Sequence, residues 1–175
     1  MILDEQTGNW QRVRKRIVNY NGNVYKRKTW YNKRRKLYVK VSNYFDSGLY
    51  TRIIKLVPKA YPGNLVSHHH SDRSMTFTYK PIQGIVLSSW CLQWTEEFYK
   101  QVYQWLCDDL DRTWPIVHGD WAPGNIIQNK DGFHLIDYDE IYDAYEKSVS
   151  KDLVRKAIHE HIVKGVPYLK LRRNS

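Results

Sequence analysis

Apolar and polar positions alternate along much of the first half of the chain, which is the pattern of half-buried strands. In Leu37-Tyr38-Val39-Lys40-Val41 the aliphatic residues fall on every second position. Short runs of β-formers at residues 16–20 and 23–26 flank Asn21-Gly22, a pair suited to the tight turn of a hairpin. A second hairpin is expected from Thr29-Trp30-Tyr31 through Asn32-Lys33-Arg34-Arg35 into residues 36–41. Residues 65–67 and 75–79 read as two more strands, with His68-His69-His70-Ser71-Asp72 as a solvated loop between them. A helix is expected over residues 47–56, with Asp46 as its N-cap and Pro58 as its stop. In the second half the period becomes helical. Thr95 is the predicted N-cap of a helix whose apolar stripe is Phe98, Val102, Trp105, Leu106 and Leu110. A last helix is expected from Lys151 to about Lys164, ended by Gly165 and Pro167. Residues 1–9 and the basic tail from Lys170 carry no regular pattern.

Between these helices lies the stretch that carries chemistry, residues 116–140. His118-Gly119-Asp120 opens a turn-forming run that ends at Asn125. Asn125-Ile126-Ile127-Gln128 is apolar enough for a buried strand, Asn129-Lys130-Asp131-Gly132 is turn chemistry, and Phe133-His134-Leu135-Ile136 is the return strand. Antiparallel pairing would bring Asn125 and Asp137 to the same end of this hairpin, with Asp120 five residues upstream. Two carboxylates and an amide oxygen meeting at one point suit phosphoryl transfer. That reaction requires a divalent cation on hard oxygen ligands and a group that accepts the proton of the attacking hydroxyl.

His118-Gly119-Asp120-x-x-x-x-Asn125, followed by Ile136-Asp137-Tyr138-Asp139, resembles the catalytic and metal-binding loops of the aminoglycoside phosphotransferase and choline kinase group. Pro123-Gly124 before the asparagine fits the same pattern, and Trp121 departs from it. The resemblance implies an α+β, two-lobed protein-kinase-like fold: a small antiparallel β lobe over residues 1–80, a hinge at 81–84, and a reduced, mainly helical lobe over 85–175. It implies ATP and Mg²⁺ as cofactors, Asp120 as the base, Asn125 and Asp137 as metal ligands, and His118 as a support for the loop. Asp139 has two readings, a further metal or substrate ligand by resemblance or part of a solvated acidic turn with Glu140 and Asp143.

The small lobe of such a fold supplies a strand lysine for the inner phosphates. Lys40 is the first candidate and Lys26 the second; an outward-facing lysine is the alternative for both. Tyr79-Lys80-Pro81-Ile82-Gln83-Gly84 resembles the segment that joins the lobes, where backbone groups of Tyr79, Lys80 and Ile82 would hold the adenine. Two parts of the pattern are weak. The only candidate phosphate loop, Tyr20-Asn21-Gly22-Asn23, has a single glycine, and the helix after Lys40 contains no acid to pair with it. Few residues remain to build an acceptor pocket, so the acceptor is left open among hydroxyl-bearing sugars, amino alcohols, antibiotics and proteins.

Charge adds a second reading. The formal net charge is +10. Between Gln6 and Phe45 there is no Asp or Glu, while Arg12, Arg14, Lys15, Arg16, Lys26, Arg27, Lys28, Lys33, Arg34, Arg35, Lys36 and Lys40 all lie there. Such a run is either a solvated surface or a contact for a polyanion, and a kinase-fold protein that binds nucleic acid without catalysis is the alternative function. Two cysteines, Cys91 and Cys107, give no disulfide framework, and the N-terminus lacks the basic and apolar segments of a secretory signal. With no apolar run long enough for a membrane span, a cytoplasmic setting is expected.

Overall fold

The computed structural model describes residues 10–20, 23–88 and 94–165. The turn at Asn21-Gly22, the link containing Trp90 and Cys91, the start of the chain and the basic tail lie outside the described residues. The chain divides into two compact units, Met1–Pro81 and Ile82–Ser175.

The first unit is a five-stranded antiparallel sheet with one helix. Its strands are β1 (Trp10–Tyr20), β2 (Asn23–Asn32), β3 (Leu37–Ser42), β4 (Leu65–Ser71) and β5 (Ser74–Tyr79), in spatial order β1-β2-β3-β5-β4. The segments read from sequence as separate pieces of two hairpins merge into one ten-residue β2. Its N-terminal part pairs only with β1 and its C-terminal part also with β3.

Helix α1 spans Ser47–Ala60, four residues beyond the expected end at Leu56, and contains Pro58. Asp46 caps it, its side chain accepting from the Leu49 amide at 2.9 Å. A proline in the last turn forfeits one backbone hydrogen bond, and the apolar stripe runs on through Val57 and Ala60, both buried, so packing outweighs the loss. Tyr50 on α1 packs on Phe77 of β5 at 5.6 Å between ring centroids.

His68, His69 and His70 lie in β4, not in a loop. Three polar residues in a row look like a loop, yet an edge strand needs only its backbone pairing and one supporting face. Here Tyr50 shares a hydrogen bond of 2.6 Å with His68 Nδ1, and Phe45 stacks on His70 at 4.7 Å.

The second unit holds α2 (Glu96–Thr113) and α3 (Lys151–Gly165) with short strands between them. Thr95 caps α2 through the Phe98 amide, and Val102, Leu106, Cys107 and Leu110 form its buried stripe. Phe98 and Trp105 sit at the edge of that stripe and contact Phe133. On α3, Val154, Ile158 and Ile162 are buried at helical spacing. Asp111 of α2 ties down Lys151 and Arg155 of α3, which hold its carboxyl below the usual carboxylate range. Strand β6 (Ile85–Val86) pairs with β8 (Ile126–Asn129), which pairs with β9 (Gly132–Leu135); β7 (Ile116–Val117) pairs with β10 (Tyr142–Asp143). No helix among the described residues is long and apolar enough to cross a membrane.

Candidate active site

The β8–β9 hairpin sets the register of the site. Asn129 pairs with Gly132 across a two-residue turn, and the Asn129 side chain accepts from the Asp131 amide at 2.8 Å. Ile126 then faces Leu135, and the Ile136 amide donates to the Asn125 carbonyl at 2.9 Å. Asn125 and Asp137 therefore stand at the same end of the hairpin. Asn125 closes a short 3₁₀ turn, Pro123–Asn125, and is buried. Its amide nitrogen donates to the Asp120 carbonyl at 3.4 Å, which leaves the side-chain oxygen as the group available to a ligand.

Asp120 is half-buried, and one of its carboxylate oxygens accepts from the Ala122 amide at 3.2 Å. Asp137 is in the left-handed region at φ 67°, a conformation that costs a non-glycine residue about 1 kcal/mol or more and that tends to persist where a site requires it. Asp139 follows in the 3₁₀ turn Tyr138–Glu140 and is half-buried; Glu140 is exposed.

His118 is the hub of this arrangement. It is buried, and its Nε2 donates to the Ile136 carbonyl at 3.1 Å while its Nδ1 accepts from the Asp120 amide at 3.4 Å. One donor and one acceptor define the neutral imidazole. Burial pushes its pKa below the ordinary histidine value, and the charges of Asp120 and Asp137 only partly oppose this. The folded state thus resists a proton that the unfolded chain takes up near pH 6.5. The contribution of His118 to stability is complete above that pH and is lost as pH falls towards the depressed value. Melts between pH 7.5 and 5.5 should show a decline of up to about 1.4 kcal/mol per pH unit from this group, and His118→Gln should flatten it.

The role of Gly119 was not legible in the sequence. At φ 86° it lies where only glycine is relaxed, and a Cβ there would sit 2.3 Å from the Glu140 carbonyl oxygen. The loop carrying Asp120 is thereby pressed against the segment that follows Asp137. Gly119→Ala should cost at least about 2 kcal/mol in a chemical-denaturation experiment, through strain and clash together. Trp121, which departs from the motif the sequence resembles, is buried, and its ring meets His161 of α3 at 5.6 Å. His159, two residues away, meets Tyr99 instead, so the two histidines serve different faces of α3.

The remaining predicted residues lie in the first unit and at the start of the second. Lys40 is half-buried near the middle of β3, cross-strand from Thr29 on β2 and Phe77 on β5. Lys26 is exposed. Tyr79 ends β5, paired with Tyr38 and Leu65. The Lys80 amide donates to the Asn64 carbonyl at 2.8 Å, so this donor is engaged within its own unit. Ile82 opens the second unit and is half-buried.

Neither protein-family models nor curated protein sequences give a match to this chain. Solved structures do. The autoinhibited serine kinase domain of the giant muscle protein titin superposes with a TM-score of 0.51 at 16% identity, over 80% of this chain and 48% of that one. The likeness shows a kinase-like fold, in which this chain spans about half the length of the kinase domain it matches.

Proposed function

We propose that the chain is an ATP- and Mg²⁺-dependent O-phosphotransferase that moves the γ-phosphate to an acceptor hydroxyl. The observation that carries the proposal is the convergence of Asp120, Asn125 and Asp137 around the buried His118, on a chain with a kinase-like fold. The donor set fits Mg²⁺: hard oxygens from a carboxylate and an amide, with room for phosphate oxygens to complete the shell. Among the described residues no group of three or more His, Cys, Asp or Glu is placed to hold a metal ion.

Each residue has a defined part. Asp120 accepts the proton as the acceptor hydroxyl attacks phosphorus; the Ala122 amide orients its carboxylate. Asn125 and Asp137 would hold Mg²⁺, which neutralises the phosphate charge. Asp139 would serve as a further metal or substrate ligand. His118 stays neutral and joins the two acidic segments through the Ile136 carbonyl and the Asp120 amide. Lys40 binds the inner phosphates, and backbone groups of Tyr79, Lys80 and Ile82 frame the adenine. Because the Lys80 amide is engaged by Asn64, the adenine contact falls to the other backbone groups of that segment. A cytoplasmic setting would supply both cofactors.

The motif resemblance of His118-Gly119-Asp120 and Ile136-Asp137 to the aminoglycoside phosphotransferase and choline kinase group puts aminoglycosides and amino alcohols among the acceptors to try, beside sugars and protein hydroxyls. The test is label transfer from γ-labelled ATP with Mg²⁺ to a panel of aminoglycosides, amino alcohols, core sugars and protein hydroxyls. Transfer to any of them is the expected outcome. An unchanged ATP pool with every acceptor would favour the non-catalytic polyanion-binding reading.

A further inference from the structure

Four consecutive bases form the turn between β2 and β3. Asn32 pairs with Leu37, and between them Lys33, Arg34, Arg35 and Lys36 are all exposed. Local contacts fix the shape of this turn. Asn32 is buried, and its side-chain oxygen accepts from the Arg35 amide at 2.7 Å. Lys36 occupies the left-handed region at φ 49°, where Gly or Asn would be relaxed. Like charges in succession repel, and a lysine at that position adds backbone strain, so the fold alone gives no reason for this choice of residues. Among the described residues no ion pair holds any of the four side chains.

Charge is segregated along the first unit. Its acids, among the described residues, are Asp46 and Asp72. Both lie at the end of the sheet where Ser42 pairs with Met75: Asp46 follows β3 and caps α1, and Asp72 is in the turn between β4 and β5. The basic turn lies at the other end, where Tyr38 pairs with Tyr79 and the exposed Lys80 follows. The six residues of β3 separate the two ends by about 17 Å, roughly two Debye lengths at physiological salt, so these acids do little to offset the bases.

The base of the turn is aromatic. Tyr31 and Tyr38 are directly opposite each other and so share a face; their rings are 5.0 Å apart between centroids and only half-buried. An unpaired nucleic-acid strand uses both features at once. Its phosphates meet guanidinium and ammonium groups, and its bases stack on aromatic rings.

We infer that the β2–β3 turn with Tyr31 and Tyr38 is a binding site for single-stranded nucleic acid. Lys33, Arg34, Arg35 and Lys36 bind its phosphates, and the tyrosine rings meet its bases. The inference stands apart from the nucleotide reading above, because none of these residues belongs to the proposed phosphotransfer site.

The test is anisotropy of a labelled oligo(dT), and of a labelled duplex of equal length, titrated with the full chain over a range of salt and without ATP. The proteins are the wild type, Arg34→Gln/Arg35→Gln, Tyr31→Leu, and Arg52→Gln/Arg73→Gln, which removes the same charge from exposed residues outside the turn. The wild type should bind the single strand more tightly than the duplex. Arg34→Gln/Arg35→Gln should weaken binding about tenfold or more and reduce the salt slope by about 1.4, the value for two phosphate contacts on a single strand. Tyr31→Leu should weaken the single strand about fivefold or more, leaving the salt slope and duplex binding unchanged. Arg52→Gln/Arg73→Gln should stay within about twofold of the wild type. Melts of the four proteins should agree for the two arginine pairs, whose side chains are on the surface, so those pairs decide the matter even if Tyr31→Leu folds poorly. Equal losses in the two arginine pairs would mean a diffuse electrostatic effect and would overturn the assignment. So would no binding of either oligonucleotide at low salt, or binding of anionic lipid vesicles alone. Equal affinity for duplex and single strand, with Tyr31→Leu folded and unaffected, would overturn the single-strand assignment.

Discussion

Replacing Asp120 with Asn should lower phosphoryl transfer about 10²- to 10⁴-fold, the usual contribution of a positioned general base. Mg²⁺-ATP binding should be unchanged. The two side chains have nearly the same shape, and the Asn oxygen can still accept from the Ala122 amide that orients Asp120. The contacts that join this loop to its neighbours use the Asp120 backbone, whose amide meets His118 and whose carbonyl meets Asn125. The substitution therefore removes the proton acceptor and little else. The readout is turnover against nucleotide affinity in one preparation: a fall in kcat with constant Kd is expected. Full activity in Asp120→Asn would show that the proton leaves by another route.

The second large effect concerns Asp137. Asp137→Ala should abolish stabilisation by Mg²⁺-ATP, because Asp137 is the charged oxygen ligand that the hairpin register sets beside Asn125. At nucleotide a hundred times Kd the wild type should gain about 2.7 kcal/mol, a rise of roughly 5–10 °C in Tm for a chain of this size. Alanine also removes a residue that tolerates the left-handed backbone at φ 67°. Asp137→Asn is the companion variant, since asparagine accepts that conformation while losing the charge. Both should lose the Mg²⁺-dependent shift, and only Ala should lower the unliganded Tm appreciably.

The elements that position the site were legible where local rules decide them. Thr95 and Asp46 cap their helices because a side-chain oxygen next to a free amide is a local matter. The register of the β8–β9 hairpin follows from the turn at Asn129–Gly132, and that register alone places Asn125 and Asp137 together. What escaped depends on contacts between distant residues. The three histidines of β4 form a strand because Tyr50 and Phe45 support them, and no run of three histidines announces that. Helix α1 passes Pro58 because Val57 and Ala60 have a core to enter. The need for glycine at position 119 comes from the Glu140 carbonyl, twenty-one residues away.

The kinase-like fold and the proposed chemistry rest on separate observations. The fold rests on backbone superposition at 16% identity, and the site on the side chains of His118, Asp120 and Asn125 and their hydrogen bonds. A hydrogen-bonded loop of this kind would also form in a protein that has lost nucleotide binding, so the metal–nucleotide complex is the point to probe.

The most direct measurement is a thermal melt of the wild type and Asp137→Ala, each with and without saturating Mg²⁺-ATP, repeated with EDTA. An upward shift in the wild type that disappears with EDTA and in the variant is the predicted result. No shift in the wild type at millimolar Mg²⁺-ATP, or an equal shift in Asp137→Ala, would contradict the assignment of this site as a metal–nucleotide centre.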